Sequence, residues 1–447
     1  MRPIDHTHNA SASSWIKSAD GSDFPIQNLP FCSFSTEFRE RRIGVGIGDC
    51  ILDLNACAEA GLFEAGLAFM LGSETLNLVM SLNAEQRLAL RHRIFELLSS
   101  DCADLRDNES LRSEAIVNLA DATFHMPCDV GDYTDFYASV FHATNVGSMF
   151  RPNNPLLPNY KHIPIGYHGR ASSVCVSGTP VRRPVGQQAP TTEGGDPGFG
   201  AAKLLDYELE VGFYIAEGNE LGSSIGMDNA EDAIFGMTLV NDWSARDLQK
   251  WEYQPLGPFL AKSFITTVSP WVITMEALAP FRCSAFERPE GDPQPMSHIS
   301  SESNSAHGGV DLNLAVALSS EKMRTDGTDP MPLTTGTFRN MYWTSAQMVA
   351  HHSSNGCNMQ PGDLLASGTV SGPERSSRGC LLELTWDGEF GAPVPGTQRT
   401  PLELPTGEER KFLADGDEVI ISGHCEAEGY NRIGFGTCRG TILPANQ

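Results

Sequence analysis

Residues 241–262 read NDWSARDLQKWEYQPLGPFLAK, and this stretch decides how the rest of the chain is interpreted. It follows an apolar, strand-like run at 235–240 and predicts a short helix that ends before Pro255, because proline cannot continue a helix. One face of that helix carries four polar side chains, those of Asp242, Arg246, Gln249 and Tyr253. Such a face is commonly solvated. The tryptophans at 243 and 251 and the apolar segments on both sides favour instead a helix packed inside the protein, whose polar groups need partners.

The chain length predicts a globular protein with two or three domains, because 447 residues are too many for one small hydrophobic core. The 43 glycines and 28 prolines predict many turns and therefore a β-rich body. A formal net charge of −25 argues against a nucleic-acid or anionic membrane surface. It does not exclude a small anionic substrate, because a pocket can be locally basic.

Cysteine usage and the N-terminus predict a cytoplasmic location. The 11 cysteines are odd in number and lack paired CxxC spacing, which indicates reduced thiols. The first residues, MRPIDHTHNASASSW, have no apolar core for export, and no run approaches the roughly 18 apolar residues of a membrane helix. We expect no membrane partner.

The predicted secondary structure changes near Pro127, from mostly helices to short strands rich in Gly and Pro. This change predicts a first domain over 1–127 and a second over 128–447. In the first, residues 1–24 are polar and predict a loosely held arm, residues 31–53 predict strands, and residues 56–118 predict helices, with Asn83 and Gln86 forming a capping box. The second is rich in short strands and turns. Its sequence also predicts a surface loop at 283–309 and a helix over 344–355 that ends at Gly356.

The strand KLLDYELEVGFYI (203–215) carries Asp206, Glu208 and Glu210 on one face, because strand side chains alternate with a period of two. Carboxylates this close raise each other's pKa. Two interpretations remain open: a solvated strand edge or a bound hard cation. Oxygen ligands without histidine or cysteine suit Ca²⁺ or Mg²⁺ better than Zn²⁺. A four-carboxylate site would form if the fold brought together Asp135, Glu208, Glu210 and Asp242.

Two histidines, His142 and His168, lie near Gly, Tyr and Arg in predicted loops, where a histidine is usually no more than hydrogen-bonded. Glu383 differs because it lies between leucines in LLELTW, which predicts a strand. A carboxylate there needs a partner, and an orienting hydrogen bond to a catalytic imidazole is one answer.

Long blocks in a fixed order then carry a resemblance to a known family. They include DFPIQNLP, DYTDFY, HATNVG, GYHGRASSV, SGTPVRRP, LLDYELE, FGMTLVNDWSARDLQKWEYQPLGPFLAKSF, HHSSNGCN, PGDLLASGT and DGDEVIISGHC. The chain resembles the fumarylacetoacetase family over nearly its whole length. The resemblance implies a mainly β fold with some helices: a small N-terminal SH3-like barrel domain, a large C-terminal β-roll, and a homodimer. It also implies cleavage of a carbon–carbon bond in a small diketo diacid, 4-fumarylacetoacetate, by water, which yields fumarate and acetoacetate.

The same resemblance implies roles for particular residues. The implied ligands of Ca²⁺ or Mg²⁺ are Asp135, Glu208, Glu210 and Asp242, with Lys262 and Thr266 beside the metal; Asp206 has no ligand role. His142 would be the general base, Glu383 would orient it, and substrate oxygens would be polarised by Arg246, Gln249 and Lys262. The implied substrate-binding residues are Tyr137, Arg151, Tyr167, Arg246, Gln249, Tyr253 and Thr369.

Three other functions compete with this one. Sister enzymes with the same acidic residues include isomerases, decarboxylases and other diketone hydrolases, but most are shorter and lack the N-terminal domain. A non-catalytic metal-binding protein of the same fold is a second possibility. A glycosidase is the weakest, because nothing pairs an acid in an apolar pocket with a second carboxylate.

Overall fold

The computed structural model describes residues 2–192, 194–390 and 392–446. An antiparallel sheet in the first part of the chain has the order β4-β3-β2-β1-β5 and consists of β1 (Phe31–Thr36), β2 (Arg39–Ile47), β3 (Cys50–Asp53), β4 (Ile116–Asn118) and β5 (Thr123–His125). Helices between β3 and β4 are α1 (Leu54–Glu59), α2 (Ala65–Leu71), α3 (Asn77–Met80), α4 (Ala84–Leu98) and α5 (Glu109–Ala115). The predicted capping box is confirmed: Asn83 and Gln86 exchange backbone-to-side-chain hydrogen bonds at the start of α4.

The rest of the chain contributes short strands and helices. The strands are β6 (Tyr133–Phe136), β7 (Gly166–Gly169), β8 (Val174–Val176), β9 (Val181–Arg182), β10 (Val185–Gln188), β11 (Gly198–Ala201), β12 (Leu205–Asp206), β13 (Leu209–Ile215), β14 (Ile234–Asp242), β15 (Ser244–Ala245), β16 (Thr266–Val268), β17 (Ile273–Thr274), β18 (Arg282–Cys283), β19 (Gly309–Val310), β20 (Leu312–Ser319), β21 (Met331–Thr337), β22 (Leu364–Ala366), β23 (Leu402–Glu403), β24 (Glu409–Arg410), β25 (Glu418–Cys425) and β26 (Ile433–Leu443). The helices are α6 (Val140–Phe150), α7 (Met227–Ala230), α8 (Arg246–Glu252), α9 (Glu302–His307), α10 (Glu321–Asp326), α11 (Ser345–Ser353) and α12 (Leu381–Leu384).

Two larger sheets organise this region. One has the order β7-β6-β22-β13-β14-β16-β8, with β17 also paired to β14, and the other has the order β21-β20-β25-β26-β9. Strand β14 contacts both β25 and β26 of the second sheet, and every residue of β13 and β14 is buried. This mainly β architecture with short helices confirms the predicted fold class, whereas the boundary between 127 and 128 stays a prediction. Among the described residues, no helix is long and apolar enough to cross a membrane.

Strand register brings acidic residues together at one end of the first large sheet. Asp135 on β6 is opposite Ala366 on β22, and Ala366 is opposite Gly212 on β13. Glu210 lies two residues from Gly212, on the same face of β13, since side chains alternate along a strand. Strand β14 ends at Asp242, directly after Asn241, which pairs with Leu209. Three distant segments of the chain therefore meet at one point.

The expectation of a loosely held arm over residues 1–24 is wrong for the described part of that segment. Thr7, His8 and Ser14 are buried. Thr7 Oγ1 accepts a hydrogen bond from Arg91 on α4, and Ser14 Oγ donates to the Leu98 carbonyl. The polar composition that suggested a loose segment instead supplies hydrogen bonds to buried groups of the domain beneath it.

Two local predictions also need correction. Asp242 does not lie on the helix, because β14 continues through it and pairs it with Thr266 of β16; α8 begins only at Arg246. Glu383 lies on the one-turn helix α12 and not on a strand. All four residues of α12 are buried, so the run of leucines reflects burial on every side, and such a run does not distinguish a strand from a helix turn. The predicted helix over 344–355 forms as α11, two residues shorter at its end.

Candidate active site

Four buried carboxylates form a cluster where β6, β13 and β14 meet. One oxygen from each lies within 4.8 Å of the others, and the four residues are Asp135, Glu208, Glu210 and Asp242. Glu208 enters the cluster from the break between β12 and β13. The solvated strand edge considered from the sequence is therefore wrong, because these acids are at most 5% exposed.

Two cations compensate only part of this charge. Lys262 Nζ donates to Glu208 at 2.5 Å and to Asp242 at 2.6 Å, and Arg246 Nη1 lies 2.8 Å from Glu208 Oε1. Burial opposes the ionisation of Glu208, but Lys262 and Arg246 outweigh burial and lower the pKa of Glu208. Asp242 also accepts hydrogen bonds from Thr266 and from the Tyr167 hydroxyl, each at 3.0 Å.

The other two carboxylates are left without donors. Asp135 Oδ1 and both oxygens of Glu210 have no hydrogen-bond partner among the described residues. Burial and the charge of Asp242 raise the pKa of Asp135 well above its usual range, and burial with the charges of Asp135 and Asp242 does the same for Glu210. Buried oxygens without donors, next to further carboxylates, are the surroundings that a hard divalent cation satisfies. The residues present therefore fit a divalent metal ion with oxygen ligands.

A histidine–carboxylate pair lies beside the cluster. His142 Nδ1 is 2.6 Å from Glu383 Oε2, and His142 Nε2 is 4.0 Å from Glu208 Oε1. The predicted loop position of His142 is wrong, because His142 lies on α6. Ser139 caps that helix, and its hydroxyl accepts the His142 backbone N–H. Burial opposes the ionisation of Glu383, yet His142 and the hydrogen bonds around the carboxylate lower the pKa of Glu383 to about 2.

A cavity of about 560 Å³ opens onto both groups. The sequence-predicted site residues that line it are Asp135, Tyr137, His142, Arg151, Tyr167, Glu208, Arg246, Gln249, Tyr253, Lys262 and Thr369. Glu210, Asp242, Thr266 and Glu383 lie behind that lining. Three of the four residues predicted to share one polar helix face, Arg246, Gln249 and Tyr253, line the cavity together. Arg246 donates to Gln249 Oε1 at 3.1 Å.

Comparison with known proteins places the chain in a family. The sequence matches the family model for the fumarylacetoacetate (FAA) hydrolase C-terminal region over residues 133–443 and that for the fumarylacetoacetase N-terminal region over residues 27–127. The chain belongs to the fumarylacetoacetase family. The fumarylacetoacetase of Bos taurus is 51% identical over 97% of this chain and 99% of its own length. That of Homo sapiens is 50% identical over the same shares.

A solved structure also resembles the chain. The fumarylacetoacetate hydrolase from psychrophilic Exiguobacterium antarcticum has a TM-score of 0.49 and 16% identity, covering 94% of this chain and 100% of that one.

Three residues that sequence reasoning missed hold Glu383 in place. Asn145 Nδ2 donates to Glu383 Oε1 at 2.8 Å, while Ser371 Oγ and Cys380 Sγ donate to Oε2 at 2.8 and 3.2 Å. Asn145 could have been found, because it lies three residues after His142 and therefore on the same face of α6. Ser371 and Cys380 lie in loop segments, where no periodicity marks the direction of a side chain.

Asp206 lies outside the acidic cluster, as the resemblance implied. It is fully buried and accepts hydrogen bonds from Arg246 Nε at 3.0 Å and from the backbone N–H groups of Leu381 and Leu382 at 2.8 and 3.0 Å. Asp206 therefore joins the first turn of the helix that carries Glu383 to the guanidinium of Arg246. The strand face predicted to bear three carboxylates is interrupted, since β12 ends at Asp206 and β13 begins at Leu209.

Proposed function

We propose that this protein is a hydrolase that cleaves a carbon–carbon bond of 4-fumarylacetoacetate with water and releases fumarate and acetoacetate. The single observation that carries the mechanism is one cavity shared by the His142–Glu383 pair and by the acidic cluster. Support for the substrate comes from relatives about 50% identical over 97% of the chain that bear the name fumarylacetoacetase.

His142 is suited to act as general base through Nε2. The ionised Glu383 accepts the Nδ1–H hydrogen bond at 2.6 Å, which fixes the tautomer and leaves Nε2 as an acceptor beside the cavity. A water molecule gives its proton to Nε2 while its oxygen adds to the ketone carbon of the fumaryl group. The oxygen of that ketone becomes negative and needs fixed donors.

The adduct then breaks the bond between that carbon and the neighbouring methylene. The electron pair leaves on the methylene as the enolate of acetoacetate, the methylene takes up a proton, and the added water oxygen remains in the new carboxylate of fumarate. Arg246, Gln249 and Lys262 line the cavity and would polarise the substrate oxygens. A Ca²⁺ or Mg²⁺ ion, held by Asp135, Glu208, Glu210 and Asp242, would supply positive charge that stabilises the enolate.

Two further donors in the cavity lining suit the carboxylates of the substrate. Arg151 Nε and Thr369 Oγ1 are buried and have no hydrogen-bond partner among the described residues. Arg151 can pair with a terminal carboxylate through two parallel N–H groups. The tyrosines that complete the binding surface in this proposal are Tyr137, Tyr167 and Tyr253.

We further propose that the protein is a cytoplasmic homodimer. All 11 cysteines are free thiols, which suits a reducing compartment. Exposed apolar side chains line the cavity, namely Leu256 at 95%, Leu157 at 51% and Phe150 at 47%. Phe259, three residues after Leu256, is 67% exposed. A second copy that covers this surface would therefore lie beside the site. Light scattering should report a molar mass twice that of the chain. Phe259→Glu should lower this measured mass, because a charge on the exposed apolar surface disfavours the dimer.

The deciding experiment follows the loss of fumarylacetoacetate absorbance with purified protein, before and after chelation and with Ca²⁺ or Mg²⁺ restored, while fumarate and acetoacetate are assayed. We expect turnover that chelation abolishes and one of the two ions restores. Turnover that survives thorough chelation would make the acidic cluster structural. No turnover by folded, metal-supplied protein would point to a sister diketone enzyme.

A further inference from the structure

Three potential metal ligands outside the acidic cluster lie together where the N-terminal segment contacts α4. They are Asp5, His6 and His92, and one ligand atom from each lies within 4.8 Å of the other two. The imidazole rings of His6 and His92 have centroids 4.6 Å apart. Asp5 Oδ2 lies 2.6 Å from His92 Nε2. Two imidazoles and a carboxylate from separate segments thus converge at one point of the surface.

Neighbouring groups hold Asp5 in this orientation. Asp5 Oδ1 accepts hydrogen bonds from the Thr7 N–H and the Thr7 hydroxyl, each at 2.8 Å, so Oδ2 is the oxygen directed at His92. His8 Nδ1 accepts the Asp5 backbone N–H at 3.0 Å, which leaves His8 Nε2 to donate to the Glu276 carbonyl at 2.9 Å. Outer hydrogen bonds of this kind orient metal ligands in proteins.

His6 is also held in place before any ion binds. Its ring packs edge-on against Phe95 of α4, with centroids 5.5 Å apart, next to His92. The Asp5–His92 hydrogen bond and this aromatic contact hold the three ligands close together in the protein alone. An ion that replaces the proton between Asp5 and His92 requires only a small separation of two side chains that are already adjacent.

The donor set determines which ion fits. Two imidazole nitrogens with one carboxylate suit Zn²⁺, whereas the all-carboxylate cluster suits Ca²⁺ or Mg²⁺. His6 is exposed, and Asp5 and His92 are partly exposed, so solvent can reach the ion and supply its fourth ligand. We propose that Asp5, His6 and His92 form a zinc site that fastens the N-terminal segment to α4.

The proposed ion would strengthen contacts that tie this segment to the rest of the chain. Arg2 lies 2.9 Å from Asp232 and 3.1 Å from Glu276, so the segment already reaches a second region. A ligand that binds only the folded chain raises the free energy of unfolding by RT ln(1 + L/Kd), where L is the free ligand concentration and Kd its dissociation constant. Zinc should therefore raise the unfolding midpoint without taking part in the reaction at the cavity.

The test titrates Zn²⁺ by calorimetry into the full-length protein in excess Ca²⁺, so that hard-cation sites are filled. We expect one zinc equivalent that Ca²⁺ does not displace, and a dissociation constant weakened on the order of 10-fold or more by either His6→Ala or His92→Gln, since lost outer-sphere contacts alone cost that much. The zinc-induced rise in the unfolding midpoint should disappear in the same variants.

His298→Ala is the matched control, because the His298 ring lies 5.8 Å from that of His351 but belongs to no three-ligand group among the described residues. It should bind zinc like the parent protein. Zinc binding that both His6→Ala and His92→Gln leave unchanged, or that excess Ca²⁺ abolishes, would overturn the proposal. The absence of any zinc isotherm would overturn it equally.

Discussion

Asp206 and Glu210 lie four residues apart in the chain and are both fully buried, but their surroundings are opposite. Both oxygens of Asp206 accept hydrogen bonds, from Arg246 and from the start of α12. Neither oxygen of Glu210 has a donor among the described residues, and its neighbours are other carboxylates. A buried carboxylate whose oxygens accept hydrogen bonds stabilises the structure. A buried carboxylate without donors indicates a site for a bound cation.

The same contrast has an energetic consequence. Burial and the charges of Asp135 and Asp242 raise the pKa of Glu210, which means that its ionised form is disfavoured in the folded chain. Without a cation the cluster therefore opposes folding, while the Asp206 contacts support it. Substitution of a carboxylate in the cluster should lower activity without lowering the stability of the metal-free protein. Substitution of Asp206 should lower stability as well as activity.

Glu210→Gln should give the largest effect on activity. Removing this carboxylate weakens the hold on the cation, and loss of several kcal/mol of transition-state stabilisation corresponds to about a 10³-fold fall in kcat/KM. The metal-free variant should unfold at the same temperature as the metal-free parent or higher, because one repulsive charge is gone. Steady-state assays and thermal unfolding in chelator measure both. A variant that loses activity and also metal-free stability would contradict this view of the cluster.

His142→Ala should lower kcat by about 10²-fold or more, the usual contribution of a general base, while leaving substrate binding largely intact. The substitution removes the Nε2 acceptor and also leaves Glu383 without its 2.6 Å partner. Rapid-mixing assays that separate binding from turnover test this. An unchanged kcat would remove His142 from the proposed mechanism.

Asp206→Asn should lower both stability and kcat, the latter on the order of 10-fold, since misplacing supporting groups in an active site costs that much or more. An amide cannot accept all the hydrogen bonds that this carboxylate accepts, so both α12 and Arg246 lose support. The effect on kcat should be smaller in the Glu383→Gln background, because Asp206 acts partly through that helix. Full additivity of the two substitutions would contradict this coupling.

Asp417→Asn is the matched control for Asp206. Asp417 is also fully buried, accepts from Arg410 Nε at 2.8 Å and Nη2 at 3.0 Å, and accepts a backbone N–H from Ala414 at 2.8 Å. It lies away from the cavity. The Asp417→Asn substitution should lower the unfolding midpoint about as much as Asp206→Asn does, while leaving kcat and KM unchanged.

The contrast between Asp206 and Glu210 also shows what the sequence could and could not predict. Carboxylates in apolar strands indicated a polar site, and the resemblance separated Asp206 from the ligands. The partners of Asp206 are backbone N–H groups some 175 residues later, and no side-chain pattern marks such donors. The helical setting of Glu383 was missed for a related reason: burial on every side removes the periodicity by which a strand is told from a helix turn.

Among the substitutions at the site, that of Cys380 should have the smallest effect on kcat. Its thiol donates to Glu383 Oε2 at 3.2 Å, but Ser371 donates to the same oxygen at 2.8 Å, so the carboxylate keeps a stronger partner when the thiol is removed. Because a single hydrogen bond contributes about 1 kcal/mol, Cys380→Ala should lower kcat by no more than about fivefold. Cys380→Ser, which keeps a donor of similar size, should lie closer to the parent than the alanine variant does. Measured kcat values for the pair decide this: a loss in Cys380→Ala as large as that in Glu383→Gln would mean that the thiol, and not the set of donors around the carboxylate, keeps Glu383 aligned with His142.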